Sequence, residues 1–225
     1  MRDFDEIFEI AAQRKGGADA LNALLNKPES AAALAAFPED RWLAQISKCV
    51  FNAGFNWKVI EAKWPGFEEA FDGFDPARVA MWPDERLDQL ASDTRIVRNG
   101  SKIASVHANA VFLRELAQEH GSASAFFAAY PADDQIDLME ILKKRGSRLG
   151  GSTVQYALRF MGKESFVLSR DVVKALRREN VIASDSLSKK NLIAIQAAFN
   201  NWKAETGRPL NEISRILAFS VGTPD

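Results

Sequence analysis

The chain has 225 residues, of which 47% are hydrophobic, 26% charged and 10% aromatic. That composition fits a globular protein with one well-filled core or two small ones and excludes disorder as the main state. With 29 basic and 30 acidic side chains the net charge is −1, so a polyanion must be met by a local patch and not by the whole molecule. No run approaches the roughly eighteen uninterrupted apolar residues of a membrane helix. The acidic start Met1-Arg2-Asp3-Phe4-Asp5-Glu6 is unlike a signal peptide. A cytoplasmic monomer with no membrane partner is expected. One cysteine, Cys49, with only His107 and His120 beside it, excludes an internal disulfide and a closed Cys/His zinc site.

Apolar residues recur at three- and four-residue intervals and long alternating β-branched runs are missing, so the fold class reads as all-α. Phe4, Ile7, Phe8 and Ala11 make a first stripe, followed by Leu21, Leu24 and Leu25. A third helix begins near Glu39 and runs through Trp42, Ile46, Val50 and Phe51 towards Gly54. Further helices are expected at about 57–63, 84–91, 101–119, 134–144, 152–161, 170–178, 188–204 and 209–220. Gly16-Gly17, Trp64-Pro65-Gly66, the stretch Asp72 to Pro76, Trp82-Pro83-Asp84 and Arg145-Gly146 interrupt the periodic runs. Asp75 before Pro76 and Asp84 after Pro83 read as helix starts. Residues 1–38 read as an N-terminal helical extension, 39–183 as the main helical domain, and 184–225 as a two-helix extension packed on the same body. On that last segment Leu192, Ile195, Phe199 and Trp202 share an apolar face, which assigns Trp202 to the core.

Three stretches carry chemistry. Leu142 through Ala157 reads as helix, glycine-bearing turn, helix, with Lys143, Lys144, Arg145 and Arg148 around Gly150, Gly151, Ser152 and Thr153. Free backbone N–H groups and a helix N-terminus there suit a DNA phosphate, and the competing reading is a solvated basic turn. In the second stretch, Phe51, Phe55 and Trp57 surround Gly54, while Asn52 and Asn56 offer amides to a base edge. Phe51 and Phe55 are equally suited to one helix core. The third, Arg95 through Ile103, is a basic turn leading into a long helix, either a phosphate contact or a loop capped by Asn99 or Ser101. His107 has no nucleophile nearby, and no GxGxxG or phosphate-loop lysine signature occurs.

Taken together, Asn52 to Trp57, Phe67 to Pro76, Ile96 to Asn99 with Lys102-Ile103, and Leu142 to Tyr156 resemble the DNA-3-methyladenine glycosylase I family. That family is a branch of the helix-hairpin-helix DNA glycosylases, and the segments occur in its order over roughly residues 40–175. The resemblance implies a helical body with a base pocket beside a hairpin, here 145–153. It also implies excision of an alkylated purine such as 3-methyladenine, flipped out of double-stranded DNA; for this chain neither a metal nor an organic cofactor is expected. Trp57 falls on the family's pocket tryptophan, with Phe51, Asn52 and Asn56 beside it, and a tryptophan face suits a cationic alkylated base. The family's base-contacting glutamate is Cys49 here, and a neutral thiol cannot supply the charge-assisted contacts of a carboxylate. Residues 1–38 lack the family's zinc and pocket residues, having no Cys, His, Trp or Tyr. The wider superfamily's downstream aspartate falls in the region of Ser169-Arg170-Asp171, where a one-position slip decides between Arg170 and Asp171; Asp171 is the catalytic candidate, and its alternative role is to favour a helix start. The expected function is a base-excision glycosylase. A noncatalytic damage-sensing protein and an interaction protein on the same scaffold are the alternatives.

Overall fold

Side-chain caps set seven of the fourteen α-helix starts among the described residues. The Asp75 carboxylate accepts from the backbone N–H groups of Ala77 and Arg78, with Pro76 fixing the first helical φ. Ser30, Asn56, Asn99, Ser122, Ser169 and Ser188 each accept a backbone N–H in the same way, and each cap is worth about 1 kcal/mol. The structure, a computed structural model, describes residues 2–221, and no strand occurs among the described residues. In chain order the helices are α1 (Phe4–Lys15), α2 (Ala18–Ala23), α3 (Ala31–Ala35), α4 (Glu39–Asn52) and α5 (Trp57–Ala70). They continue with α6 (Pro76–Val79), α7 (Asp84–Leu90), α8 (Gly100–His120), α9 (Ala123–Ala129) and α10 (Gln135–Arg145). Then come α11 (Ser152–Phe160), α12 (Arg170–Arg178), α13 (Lys189–Thr206) and α14 (Leu210–Phe219).

The break expected at Trp64-Pro65-Gly66 does not form, and α5 runs on to Ala70 with Pro65 inside it. Tertiary packing outweighs the hydrogen bond that proline removes. Trp64 stacks on Phe67 and Phe74 and donates through Nε1 to Glu68 at 2.9 Å. Gly66 lies so close to Arg95 that a Cβ would stand 2.7 Å from its carbonyl oxygen.

The chain forms two compact units. The central unit comprises residues 30–130 and 139–161. Within it α4 packs against α8 and α11, and Trp42 stacks on Phe127 at 4.1 Å. Phe51, Phe67, Phe71 and Phe74, all fully buried, continue that core. The terminal unit comprises the described residues before 30, residues 131–138 and those from 162 onward. Phe4, Ile7, Leu21, Phe166, Leu176, Ile195, Phe199, Trp202, Leu210 and Ile213 are buried together there. Its irregular stretch at Ser165–Val167 is buried, and side chains meet its backbone. Gln135 brackets Phe166 with two hydrogen bonds of 2.7 and 2.8 Å, Asn211 accepts from Ser165 N, and Ser214 from Val167 N.

Candidate functional site

The last turn of α4 and the first two turns of α11 enclose a cavity of about 230 Å³ in the central unit. Cys49, Asn52 and Ala53 line it from one side, and Ser152, Thr153, Tyr156 and Phe160 from the other. Tyr156 and Phe160, four residues apart on α11, stack at 5.8 Å, and Phe160 is exposed. Cys49 is buried, and the Gln45 amide donates to its sulfur at 3.4 Å. Burial pushes the thiol up to about 11, against the opposing effects of Gln45 and Lys48, so it is protonated at neutral pH. Asn52 Oδ1 is buried with no hydrogen-bond partner.

Lys102 reaches from the first turn of α8 to the carbonyl end of α4. Its Nζ donates to the backbone oxygens of Phe51 at 3.0 Å and Ala53 at 2.6 Å and lies 4.8 Å over the Phe55 ring. Burial, with a smaller contribution from Arg148, holds its pKa below the ordinary lysine value. Sequence reasoning left this lysine between phosphate contact and capping loop, but its ammonium is engaged with main-chain carbonyls. Asn99 caps α8, accepting from Lys102 N at 3.1 Å, and Arg95 is ion-paired with Asp93 and Glu69.

Of the residues expected at a base pocket, Cys49 and Asn52 line the cavity. Phe51 does not: it is fully buried edge-on to Phe67 at 4.6 Å, so its ring belongs to the core. Asn56 is exposed and caps α5 through Lys58 N. Trp57 opens α5, does not line the cavity, and is 65% exposed, which rules out a core role.

The turn between α10 and α11 is held by close packing and by one buried amide. A Cβ on Gly146 would stand 2.5 Å from the Leu149 side chain and 2.8 Å from the Leu142 carbonyl, so only glycine lets Leu149 tuck in. Asn109, fully buried on α8, accepts from Ser147 N at 2.7 Å and donates to Ser147 O at 3.0 Å. No sequence signal marks it, since an asparagine inside a helix resembles any surface polar residue. Arg145 is bound to Glu119 and Glu115 and lies over Phe112, which ties it to the support of the turn. Lys143 and Lys144 are exposed, and Arg148, also exposed, donates to Ser101 Oγ at 2.7 Å. Gly150 and Gly151 bring the chain to α11, whose N-cap, Gly151, has no side chain to occupy the first N–H groups at Ser152 and Thr153. Asp171 falls in the terminal unit, in the first turn of α12, 3.3 Å from Lys174, while Ser169 supplies the cap. Among the described residues no three His, Cys, Asp or Glu side chains gather as a metal site, and no helix is long and apolar enough to cross a membrane.

Residues 39–140, which include α4 and its Cys49, match the methyladenine glycosylase family model. Over that stretch, just under half of its length, the chain is similar to the methyladenine glycosylases. It is 26% identical to DNA-3-methyladenine glycosylase 1 of Escherichia coli over 126 residues, 47% of this chain and 66% of that protein, so it spans just under two thirds of that relative's length. A solved 3-methyladenine DNA glycosylase I from Staphylococcus aureus is 24% identical with a TM-score of 0.48, covering 64% of this chain and 85% of that one. The 8-oxoguanine DNA glycosylase of Methanocaldococcus jannaschii, at 12% identity, aligns over 95% of this chain and 92% of its own with a TM-score of 0.55. The fold is therefore that of the helical DNA glycosylases. The methyladenine glycosylase match ends before α11, so the half of the cavity that α11 contributes lies outside it.

Proposed function

We propose that the protein is a DNA base-excision glycosylase that takes an extruded alkylated purine into the cavity between α4 and α11 and hydrolyses its N-glycosidic bond. The observation that carries this reading is that Ser152 and Thr153 belong both to the uncapped N-terminus of α11 and to the cavity lining. A DNA phosphate held by those N–H groups, with Lys143, Lys144 and Arg148 beside it, brings its own nucleotide to the mouth of the cavity. The α10–α11 segment acts as the helix-hairpin-helix element. Trp57 supplies an exposed stacking face. An alkylated purine is a good leaving group, so positioning and stabilisation of the developing sugar cation supply much of the rate. Asp171 is the proposed carboxylate for water attack, by its place in the chain after the hairpin. The buried thiol of Cys49 favours a second reading, recognition of damage without cleavage.

Release of base from duplex oligonucleotides carrying single alkylated purines tests both. Measurable release that falls in Asp171→Asn, with duplex binding retained, is expected. Binding without release selects the second reading, and duplex binding that does not respond to salt defeats both.

A further inference from the structure

We propose that Tyr156 and Phe160 of α11 select a cationic alkylated base, holding it against their ring faces in a cavity that has no carboxylate to do so. The inference rests on the glycosylase reading and names the specificity-determining residues of its pocket. No Asp or Glu lines the cavity, and Cys49 brings a thiol to its wall. Trp57 does not line it, so the aromatic residues of the wall are Tyr156 and Phe160. They stand four apart on one face of α11, with ring centroids 5.8 Å apart and planes within 26° of parallel. The same helix buries Val154, Ala157 and Leu158, yet Tyr156 stays 37% and Phe160 60% exposed. Aromatic surface left open on the wall of a cavity is a surface for a ligand. The methyladenine glycosylase match ends at residue 140 and includes neither ring. A π face attracts a cation through its quadrupole and gives an uncharged base of the same shape ordinary stacking alone. Two lysines stand close to the lining, and both are compensated. Lys102 Nζ donates to the oxygens of Phe51 and Ala53 at the negative end of α4, and Lys48 pairs with Glu61 at 2.7 Å. The cationic purine is also the activated leaving group, so rings that favour it sort reactive lesions from intact bases. They act on binding, and bond cleavage is left to other groups.

The test compares two bases of one shape that differ in charge: 7-methylguanine, cationic below neutral pH, and 7-deaza-7-methylguanine, uncharged. Each is placed in the same duplex on a 2′-fluoro sugar that blocks release, beside an abasic analogue, and affinity is measured below neutral pH at two salt concentrations. The cationic base is expected to bind about fivefold or more tightly than its uncharged counterpart. Tyr156→Leu combined with Phe160→Leu keeps apolar bulk and helix propensity but removes both π faces. That double variant should bring the ratio to about one and leave binding of the abasic duplex unchanged. Tyr156→Phe, which keeps the ring, keeps the ratio. If the double variant fails to fold, Phe160→Leu alone, at a side chain 60% exposed, must lower the ratio. Equal binding of the two bases by the unmodified protein, with salt-sensitive binding of the abasic duplex, overturns the selection and leaves the glycosylase reading standing. A ratio that survives removal of both rings overturns it too. No salt-sensitive binding of any duplex overturns both.

Discussion

Trp57 sits in an environment that folding alone does not explain. A large indole left 65% exposed at a helix start forgoes burial that other aromatics of the chain obtain. Trp57→Ala should therefore leave thermal stability nearly unchanged while weakening damaged-duplex binding by about 1–3 kcal/mol, the range of base stacking. Loss of stability would mean the ring packs after all. Cys49 gives a second residue-scale expectation. Its thiol ionises near 11 in the folded protein against an ordinary value of 9.0. Between those values the native state holds a proton that the unfolded state has released, so stability falls as pH rises from about 9 to 11, by about 2–3 kcal/mol in all. Cys49→Ser should remove that part of the alkaline slope, measured by denaturant titration across the range, and the native thiol should alkylate slowly at mildly alkaline pH. Spacing alone could not separate Phe51 from Phe55. They are four apart, yet α4 ends at Asn52, leaving Phe51 in the core and Phe55 on an exposed loop.

At the scale of elements, the basic turn after α10 is the part of the site most legible in sequence. Its glycines and cations mark a turn that needs close approach, and Gly146 does pack its Cα under Leu149. The division of labour among the cations was not legible, because ion-pair partners come from α8. Arg145 is bound to Glu115 and Glu119, while Lys143 and Lys144 face solvent. Replacing Lys144 and Arg148 by alanine should weaken binding to all duplex sequences alike and flatten its salt dependence. An unchanged slope would remove the turn from the interface. Helices α3 and α9 escaped periodicity because alanine-rich segments of five and seven residues carry too little apolar pattern. The halt expected at Pro65 failed for the opposite reason: Trp64, Gly66 and Phe67 gain more from packing than the helix loses at the proline.

For the whole molecule, the near-zero net charge means that the proposed affinity for DNA must come from local geometry and not from a general field. The all-α class followed from periodicity, and the assignment of Trp202 to a core followed from one helical face; it is fully buried between Phe4 and Phe199. Trp202→Ala should cost about 3–5 kcal/mol, seen as a lowered unfolding midpoint. The gathering of distant segments into each unit could not be read in the same way, since local periodicity carries no information on which helices meet.

That gathering has a consequence for synthesis. The terminal unit takes residues from before 30, from 131–138 and from 162 onward, so the central unit is strung between its pieces. A ribosome working from the N-terminus delivers the last residue of the central unit at Met161, before α12, α13 and α14 exist. Phe4, Ile7 and Leu21 must wait through that whole interval for Phe199, Trp202 and Ile213. The apolar stripe of α1 is thus synthesised well before the residues that cover it, and it stays uncovered by them on the nascent chain for that interval.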